Sequence, residues 1–336
     1  MSKVSVLGAG TWGCALAILL ANNGHEVTIW TKIEAEAAAL KENRNNMKNL
    51  PGAVLPEQIQ ITLNLEEACK DRDLLVMAVA SPYIRSTSHD ASPYIREGQM
   101  LVNVSKGIED GTLYTLSEVI SSEIPQADVA VLSGPSHAEE VSRQIPTTIV
   151  VGARTRETAR YIQDVFMTDV FRVYTSPDII GIELGGSLKN VIALAAGVVD
   201  GLGYGDNTKA ALMTRGMAEI SRLGIRMGGR IETFSGLSGF GDLFVTCNSK
   251  HSRNWNAGYL MGQGKSMEEA MKQVGQVVEG INSAKAALTL ARKNGVEMPI
   301  VEQINLVLFE GKAPREALYD LLGRDKQKEH KSLEWD

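Results

Sequence analysis

The sequence has few cysteines, and their number and spacing exclude some classes of protein. Cys14, Cys69 and Cys247 are the only three, and no two of them form a CxxC pair. An odd number of cysteines without a framework argues against a secreted, disulfide-bonded domain and favours a reducing cytosol. We therefore predict a cytoplasmic protein without disulfides.

Long apolar runs, basic tracts and clustered histidines are also scarce. No apolar segment approaches a membrane span of about 20 residues, and the amino terminus has no signal-peptide pattern, so we expect no membrane span. The net charge of −6 argues against a nucleic-acid surface but allows a local basic pocket for a small anion. The five histidines are scattered. His137 has no partner at metal spacing, so we expect it at the surface or in a helix cap, and we predict no metal site.

The chain has the length and composition of a two-domain globular protein. Its 336 residues correspond to about two domains, and a content of 44% hydrophobic and 22% charged residues is ordinary for a soluble protein. Strand-like alternation stops near residues 175–177, and the rest of the chain has helical patterns. We therefore predict one domain at residues 1–176 and a second, helical domain at residues 177–336.

A glycine-rich turn lies near the amino terminus. GAGTWG at residues 8–13 follows a short β-rich run and precedes a helical pattern and a second strand-like run. In this context Gly8 would make the tight turn, Gly10 would let the backbone approach a pyrophosphate, and Gly13 would let the helix pack on the strand. This pattern favours a dinucleotide site over a fortuitous turn.

Strand-like runs continue to alternate with helical ones along the first domain. Alternation of this kind predicts a parallel sheet covered on both faces. The predicted strands are residues 4–7, 25–30, 58–62, 74–78, 100–104, 129–132, 147–151 and 171–174. The predicted fold is therefore α/β, an N-terminal Rossmann-like doubly wound sheet with a C-terminal all-α domain.

The end of the second predicted strand bears on the choice of cofactor. NAD-selective folds place an acidic residue there, but this chain has Thr31 and Lys32, and Glu34 is the nearest acid. Lys32 either neutralises a 2′-phosphate or is an ordinary solvated lysine. We predict that NADPH/NADP is preferred and that NADH/NAD is also used.

Lys189 stands alone in an apolar run at residues 181–200. Its helical face is shared by small or apolar residues, namely Gly185, Gly186, Ile192, Ala193 and Ala196. We therefore expect another part of the chain to approach this face closely. Lys189 either snorkels to water, pairs with a carboxylate or serves a site. Because burial lowers the pKa of a lysine, it is a candidate proton donor and acceptor.

Two polar segments are suited to bind an anion. Ser252, Arg253 and Asn254 offer a hydroxyl, a guanidinium and an amide at a predicted helix start, a set suited to a phosphate. The alternative is that Ser252 is a simple N-cap and Arg253 is solvated. Ser136 is expected to cap the helix that follows it, which would leave nearby amides free to bind an anion.

Five blocks of the sequence, in order, resemble the bacterial NAD(P)-dependent glycerol-3-phosphate dehydrogenase family, and the resemblance extends over nearly the full chain. The blocks are GAGTWG (8–13), NVSKGIE (103–109), LSGPSHAEE (132–140), ELGGSLKNVIALAAGVVDGLGYGDN (183–207), and SGLSGFGDLFVTC with SRN (235–254).

The resemblance implies roles for individual residues. Lys189 would be the general acid and base, and Lys106 would contact both cofactor and substrate. The other implied substrate contacts are Gly134, Ser136, Asp242, Ser252, Arg253 and Asn254. The other implied cofactor contacts are Thr11, Trp12, Lys32, Ala138, Arg253, Val277 and Glu279.

The resemblance also implies an activity, the reversible conversion of sn-glycerol 3-phosphate and dihydroxyacetone phosphate, with hydride passing to nicotinamide. The partner would be this triose phosphate, and the product would supply phospholipid synthesis. The sequence leaves the oligomeric state open, and a homodimer is one alternative. Two alternatives are another two-domain dehydrogenase of the hydroxyacid type and a nucleotide-sensing binding protein without turnover.

Overall fold

The computed structural model describes residues 1–45, 50–326 and 328–329, and within them the first half of the chain forms one eight-stranded sheet. The strand order is β3-β2-β1-β4-β5-β6-β7-β8. The strands are β1 Lys3–Leu7, β2 Glu26–Trp30, β3 Gln60–Thr62, β4 Leu74–Met77, β5 Met100–Asn103, β6 Asp128–Ser133, β7 Thr147–Gly152 and β8 Phe171–Ser176. The helices between them are α1 Thr11–Asn22, α2 Glu34–Asn43, α3 Leu65–Cys69, α4 Ile84–Ala91, α5 Leu116–Glu123, α6 Ala138–Val141 and α7 Arg156–Phe166.

The sheet is covered on both faces, as predicted. Successive side chains of a strand point to opposite faces, and β4 shows the result: Leu74 and Val76 pack in one buried cluster, whereas Leu75 and Met77 pack in another. All four side chains are fully buried. Strands buried on both faces are typical of a doubly wound sheet.

One pair of neighbouring strands departs from the predicted parallel arrangement. β6 and β7 are antiparallel, with Leu132 opposite Val151, whereas the other neighbouring strands are parallel. The connection between β6 and β7 contains only the four-residue helix α6. The connection between two parallel strands must return to the end of the sheet where the first strand began, usually through a longer helix. The connection between β6 and β7 instead stays at one end of these strands.

The strand order reverses at β1, which pairs with β2 on one side and β4 on the other. In a doubly wound sheet, ligands bind outside the carboxyl ends of the strands at this switch point. The segments that follow β1, β4, β5 and β6 all meet there.

The second half of the chain is helical within the described residues. Its helices are α8 Ile179–Gly201, α9 Asp206–Arg226, α10 Ile231–Ser235, α11 Asp242–Asn248, α12 Arg253–Gly262, α13 Met267–Val274, α14 Glu279–Lys293, α15 Pro299–Phe309 and α16 Pro314–Leu322. A π-helical turn, Leu237–Gly241, joins α10 to α11. The last strand ends at Ser176 and α8 begins at Ile179, and we keep residues 1–176 and 177–336 as proposed domains.

Helix α8 is the centre of the helical half. It has 23 residues and is apolar enough to cross a membrane by length and composition, so the expectation that no apolar segment approaches that length was wrong. Every residue from Gly181 to Val199 is buried in the protein. Its apolar character therefore accords with a core helix, because a core helix is apolar on all sides.

Glycines let α8 and α12 approach backbone to backbone. A Cβ atom on Gly197 would lie 2.1 Å from the carbonyl oxygen of Trp255, and one on Gly258 would lie 2.0 Å from that of Leu194. No side chain fits at either position. This contact fixes the amino end of α12 beside the middle of α8.

Smaller predictions were corrected or fall outside the described part. β3 begins two residues later than predicted, because Ile59 donates its backbone N–H to Pro56 in a turn (3.1 Å). The helical pattern of the sequence predicts a helix from residue 282, and helix α14 begins earlier, at Glu279. The three cysteines are buried. The charged composition of residues 324–336 predicts a partly disordered tail, and this prediction lies largely outside the described residues.

Candidate active site

A cleft of about 1020 Å³ lies between the carboxyl ends of the strands and the helices α8, α12 and α14. Most of the predicted site residues line it. They are Gly10, Thr11, Trp12, Lys106, Ser136, Ala138, Lys189, Ser252, Arg253, Asn254, Val277 and Glu279. Gly8, Gly13, Lys32, Gly134 and Asp242 do not line it.

The glycine-rich turn forms one end of the cleft, and each glycine has a different environment. Gly8 has φ +124°, and a Cβ there would lie 2.8 Å from the backbone of Ala78. A Cβ on Gly13 would lie 2.0 Å from the carbonyl oxygen of Gly8, whereas one on Gly10 would meet nothing within 4 Å. Gly10 also precedes α1 without any side-chain cap. Free amides and open space at a helix start fit the pyrophosphate of a dinucleotide.

Lys189 lies in the wall of the cleft on α8 and is only 5% exposed. Its Nζ donates hydrogen bonds to Asp242 and to the hydroxyl of Thr246 (2.6 Å). Of the three alternatives left open by the sequence, snorkelling to water is excluded, and pairing with a carboxylate is observed. The pKa of Lys189 is lowered to about 8, chiefly by burial and also by the positive charge of Lys106, while the carboxylate of Asp242 acts in the opposite direction.

Asp242 bridges two lysines. One carboxylate oxygen accepts from Lys189, and the other accepts from Nζ of Lys106 at 2.6 Å. Lys106 also donates to the carbonyl oxygen of Gly134 (3.2 Å). Asp242 is 1% exposed and directly follows the π-helical turn. Two ammonium groups on one buried carboxylate leave a net positive charge at the cleft wall, which favours an anionic or polarised ligand.

The face of Lys189 is approached closely by other segments, as the small residues predicted. A Cβ on Gly185 would lie 2.6 Å from the carbonyl oxygen of Ser238, and one on Gly186 would lie 2.8 Å from the hydroxyl of Ser133. The π-helical turn therefore packs directly on α8, which brings Asp242 to Lys189.

The amino end of α12 forms the opposite wall. Ser252 accepts from the backbone N–H of Trp255 (3.1 Å), so it is an N-cap, as the alternative reading proposed. Asn254 accepts from the backbone N–H of Gly280 (2.7 Å) and donates to Asn190 (3.0 Å). Arg253 is exposed and lines the cleft. A guanidinium at a helix start is suited to a phosphate.

The expectation that Ser136 caps a helix was wrong. Its hydroxyl donates to the carbonyl oxygen of Gly134 (2.9 Å), and the N-cap position of α6 is taken by His137. The reason is that α6 begins at Ala138, too late for Ser136 to occupy the cap. The His137 side chain itself makes no capping hydrogen bond and lines the cleft.

The residues that follow β2 are those predicted to influence the choice of cofactor. Lys32 is exposed and forms an ion pair with Asp90 (3.4 Å), which agrees with the alternative of a solvated lysine. Thr31 is buried, and its hydroxyl donates to Glu36. Glu34 lies in the first turn of α2.

Val277 and Glu279 lie at the start of α14. Glu279 accepts from the hydroxyl of Ser81 (2.6 Å) and from its backbone N–H (3.3 Å). Burial raises the pKa of this carboxyl, while the bonds from Ser81 act in the opposite direction. Glu279 therefore links the segment after β4 to the helical half across the cleft.

Reasoning from the sequence missed two polar residues beside Lys189. Thr246 accepts from Lys189 and donates to the carbonyl oxygen of Asp242 (2.6 Å), and Asn190 holds Asn254. The spacing of four residues between Asp242 and Thr246 would have placed both on one helical face. This spacing is informative only if residues 242–248 are first predicted to form a helix. No group of three or more potential metal ligands occurs among the described residues.

Comparison with known proteins identifies similar chains over the full length. Family models described as the N-terminus and the C-terminus of NAD-dependent glycerol-3-phosphate dehydrogenase match residues 3–159 and 178–319. A glycerol-3-phosphate dehydrogenase (NAD(P)+) of Agathobacter rectalis is 60% identical, covering 100% of both chains. One of Fusobacterium nucleatum is 57% identical, covering 99% of this chain and 100% of that one.

A solved structure agrees with these relatives. The crystal structure of a glycerol-3-phosphate dehydrogenase from Coxiella burnetii is 34% identical, with a TM-score of 0.93, and covers 96% of this chain and 99% of that chain. The predicted architecture, a Rossmann-like sheet followed by helices, is confirmed. These comparisons do not support the alternatives of a hydroxyacid-type dehydrogenase or a binding protein without turnover.

Proposed function

This chain belongs to the NAD-dependent glycerol-3-phosphate dehydrogenase family, and from that premise we propose how its residues interconvert sn-glycerol 3-phosphate and dihydroxyacetone phosphate. It is an oxidoreductase that uses NAD(H) or NADP(H). The glycerol 3-phosphate that it forms supplies phospholipid synthesis. One observation carries the proposed mechanism: a buried lysine, Lys189, with a pKa of about 8, lies in the wall of the cleft.

Lys189 is the general acid and base. Reduction of a ketone requires a proton at the developing alkoxide, and oxidation of the alcohol requires its removal. Near neutral pH, a lysine with a pKa near 8 exists in a protonated and a neutral form. It can therefore donate a proton during reduction and accept one during oxidation. Thr246 and Asp242 hold its Nζ in place through hydrogen bonds.

Lys106 and Ser136 line the part of the cleft where we place the reacting carbon, and Gly134 and Asp242 support them from outside the cleft lining. Asp242 and the Gly134 carbonyl hold the Lys106 ammonium. From there its positive charge would stabilise negative charge that develops on a substrate oxygen. Ser136 lies in the same wall of the cleft.

The substrate phosphate binds at the start of α12. Arg253 supplies two N–H donors in a fork, and Asn254 and Ser252 fix the helix start beneath it. The helix dipole adds a favourable field for a dianion. Arg253 and Glu279 both line the cleft, and the positive charge of Arg253 acts to lower the pKa of Glu279. Arg253 is proposed to contact both substrate and cofactor.

The dinucleotide would be held along the rest of the cleft. Gly8, Gly10 and Gly13 shape the turn, Thr11 and Trp12 lie at the start of α1, and we propose these residues as the pyrophosphate site. The other proposed contacts are Lys32, Lys106, Ala138, Arg253, Val277 and Glu279. When bound, the nicotinamide supplies or accepts the hydride.

The protein is proposed to act in the cytoplasm as a homodimer. Its three cysteines are buried, and no two of them form a CxxC pair, which suits a reducing compartment. Phe240 and Phe244 are 44% and 54% exposed, and their ring centroids lie 6.1 Å apart. Two neighbouring exposed aromatic residues support an apolar contact with a second subunit. Sedimentation of the purified chain measures the oligomeric state.

The activity is tested by nicotinamide absorbance with matched substrates. Dihydroxyacetone phosphate should be reduced, and hydroxyacids and sugar acids should not be turned over. Turnover of a hydroxyacid instead of the triose phosphate would move the chain to another reaction. Cofactor binding without turnover of any of these compounds would contradict an enzymatic role.

A further inference from the structure

Ser187 lies on α8, two residues before Lys189, and is only 2% exposed. Its hydroxyl accepts a hydrogen bond from the backbone N–H of Gly107 (2.9 Å) and donates one to the carbonyl oxygen of the same residue (3.0 Å). One side chain on α8 therefore pairs both backbone polar groups of a residue in the sheet domain, 80 positions away in the chain.

The segment that Ser187 holds carries Lys106, which directly precedes Gly107. The stem of Lys106 lies beside Gly186, where a Cβ would be 3.6 Å from both Cγ and Cδ of the lysine. Its ammonium lies on the carboxylate that it shares with Lys189. Two consecutive residues of α8 thus hold two consecutive residues of the segment after β5, on the same helix that carries Lys189.

Gly107 depends on the Ser187 hydroxyl for its hydrogen bonds. Both of these bonds are buried, and the described residues provide no other partner for the N–H or the carbonyl oxygen of Gly107. A Cβ on Gly107 would lie 2.6 Å from that of Ser81, so no side chain could hold the segment instead. Because unpaired buried backbone groups are costly, loss of the hydroxyl would shift this segment, and Lys106 would shift with it.

We propose that Ser187 is a positioning residue for the reaction, which fixes Lys106 against α8 so that its ammonium and that of Lys189 share one carboxylate. This inference rests on the proposed function, in which Lys106 stabilises charge on a substrate oxygen and Lys189 transfers the proton. Ser187 lies outside the residues that line the cleft. Its effect on the reaction therefore passes through Lys106.

The charges around Lys189 provide a readout for the position of Lys106. Burial is the main cause of the lowered pKa of Lys189, and the positive charge of Lys106 contributes to it, while Asp242 and Cys247 on α11 act in the opposite direction. The ring of His137, which precedes α6, also interacts with the charge of Lys189. If Lys106 were displaced, it would lower the pKa of Lys189 less. Reduction would then decline at a higher pH.

The test is a double-mutant cycle in the full-length enzyme. Ser187→Ala removes both hydrogen bonds, and we expect kcat for reduction of dihydroxyacetone phosphate to fall about fivefold to tenfold. The decline of reduction with pH should move to higher pH, in the same direction as in Lys106→Met but by a smaller amount. In the Lys106→Met background, Ser187→Ala should change neither kcat nor the pH profile further, because two substitutions that act through one group are not additive.

Two further measurements separate positioning from loss of packing. Ser88→Ala is the matched control, because Ser88 is a fully buried helical serine whose hydroxyl has no hydrogen-bond partner in the part of the chain that the structure describes. It should keep the wild-type kcat and pH profile. Hydrogen exchange of the Gly107 amide should be faster in Ser187→Ala than in the wild type. Thermal unfolding checks that all variants fold.

Failure of the inference and failure of the proposed function give different results. An unchanged kcat and pH profile in Ser187→Ala, an equal loss in Ser88→Ala, an additive loss in the double variant, or unchanged exchange of the Gly107 amide would overturn the role of Ser187 and leave the wild-type activity in place. A wild type that does not reduce dihydroxyacetone phosphate would instead contradict the proposed function.

Discussion

Lys189 donates a hydrogen bond to the carboxylate of Asp242, 53 residues away in the chain, and both groups are buried. The pair places an ammonium with a lowered pKa in the wall of the cleft and keeps it from being an unpaired buried charge. This arrangement leads directly to the first two predictions.

Substitution of Lys189 by alanine should reduce turnover by about 10²-fold to 10⁴-fold, because the proton at the substrate oxygen would then come from water. Cofactor binding should be nearly intact, since the glycine-rich turn lies elsewhere in the cleft. The measurements are kcat for dihydroxyacetone phosphate and the Kd for NADPH. A folded variant with near-normal kcat would move the proton-transfer role to Lys106.

The pH dependence of kcat should follow the titration of Lys189. Reduction needs the protonated lysine, so it should decline as pH rises through about 8, while oxidation should increase over the same range. Removal of the negative charge in Asp242→Asn lowers the pKa of Lys189 and should move both limbs to lower pH by about one unit or more. Lys106→Met removes a positive charge, so it should move both limbs to higher pH. Shifts of the same sign in the two variants would contradict this account.

Arg253→Ala should weaken binding of dihydroxyacetone phosphate, raising KM by about 10-fold to 100-fold, because a hydrogen bond to a charged group is lost. Arg253→Lys should recover only part of this loss, since an ammonium cannot form the forked pair. Added phosphite should stimulate reduction of unphosphorylated dihydroxyacetone by the wild type, and this stimulation should be weaker in the alanine variant. An unaltered KM in the alanine variant would remove Arg253 from the phosphate site.

Lys32→Asp should shift cofactor preference from NADPH towards NADH by several-fold, because it removes an attraction for the 2′-phosphate and adds a repulsion. The wild type should use NADPH at least as well as NADH. Asp90→Asn is the matched variant: it frees Lys32 from its ion pair and should shift preference the other way. The ratio of kcat/KM for the two cofactors at fixed ionic strength is the measurement. A tenfold wild-type preference for NADH, or no change in Lys32→Asp, would show that another residue contacts the ribose.

Glu219 should make the unfolding free energy depend on pH. It is 2% exposed, and burial raises its pKa to about 7, although backbone N–H groups of Ile300 and Val301 donate to it. A carboxyl whose folded pKa is raised binds its proton more tightly in the folded state. Its stabilising contribution is therefore present below about pH 4.5 and is lost as pH rises through about 7, by up to about 3 kcal/mol.

Glu219→Gln should remove this dependence. The midpoint of urea unfolding, measured from pH 5 to pH 8, should fall less steeply in the variant than in the wild type. Glu302→Gln, on the exposed face of α15, is a suitable control because its carboxyl is largely solvated. Parallel curves for wild type and Glu219→Gln would show that Glu219 does not titrate in this range.

The sequence by itself determined the local features of this protein. Strand, glycine turn and helix could be predicted from residues 4–22, because they depend on steric requirements and periodicity within a few residues. The close approach to Gly185 and Gly186 could be predicted for the same reason, since small side chains on a helix leave room for a neighbour. The identity of that neighbour could not.

Only the tertiary structure decided which distant groups meet. Lys189 could have pointed to water or to any carboxylate, and its partner became known only when the π-helical turn packed Asp242 against α8. The antiparallel β6–β7 pair and the hydroxyl bond of Ser136 likewise depend on where the chain turns in space. Such pairings join segments that are far apart in sequence. Their energies depend on burial and on several partners at once, so a local sequence pattern does not predict them.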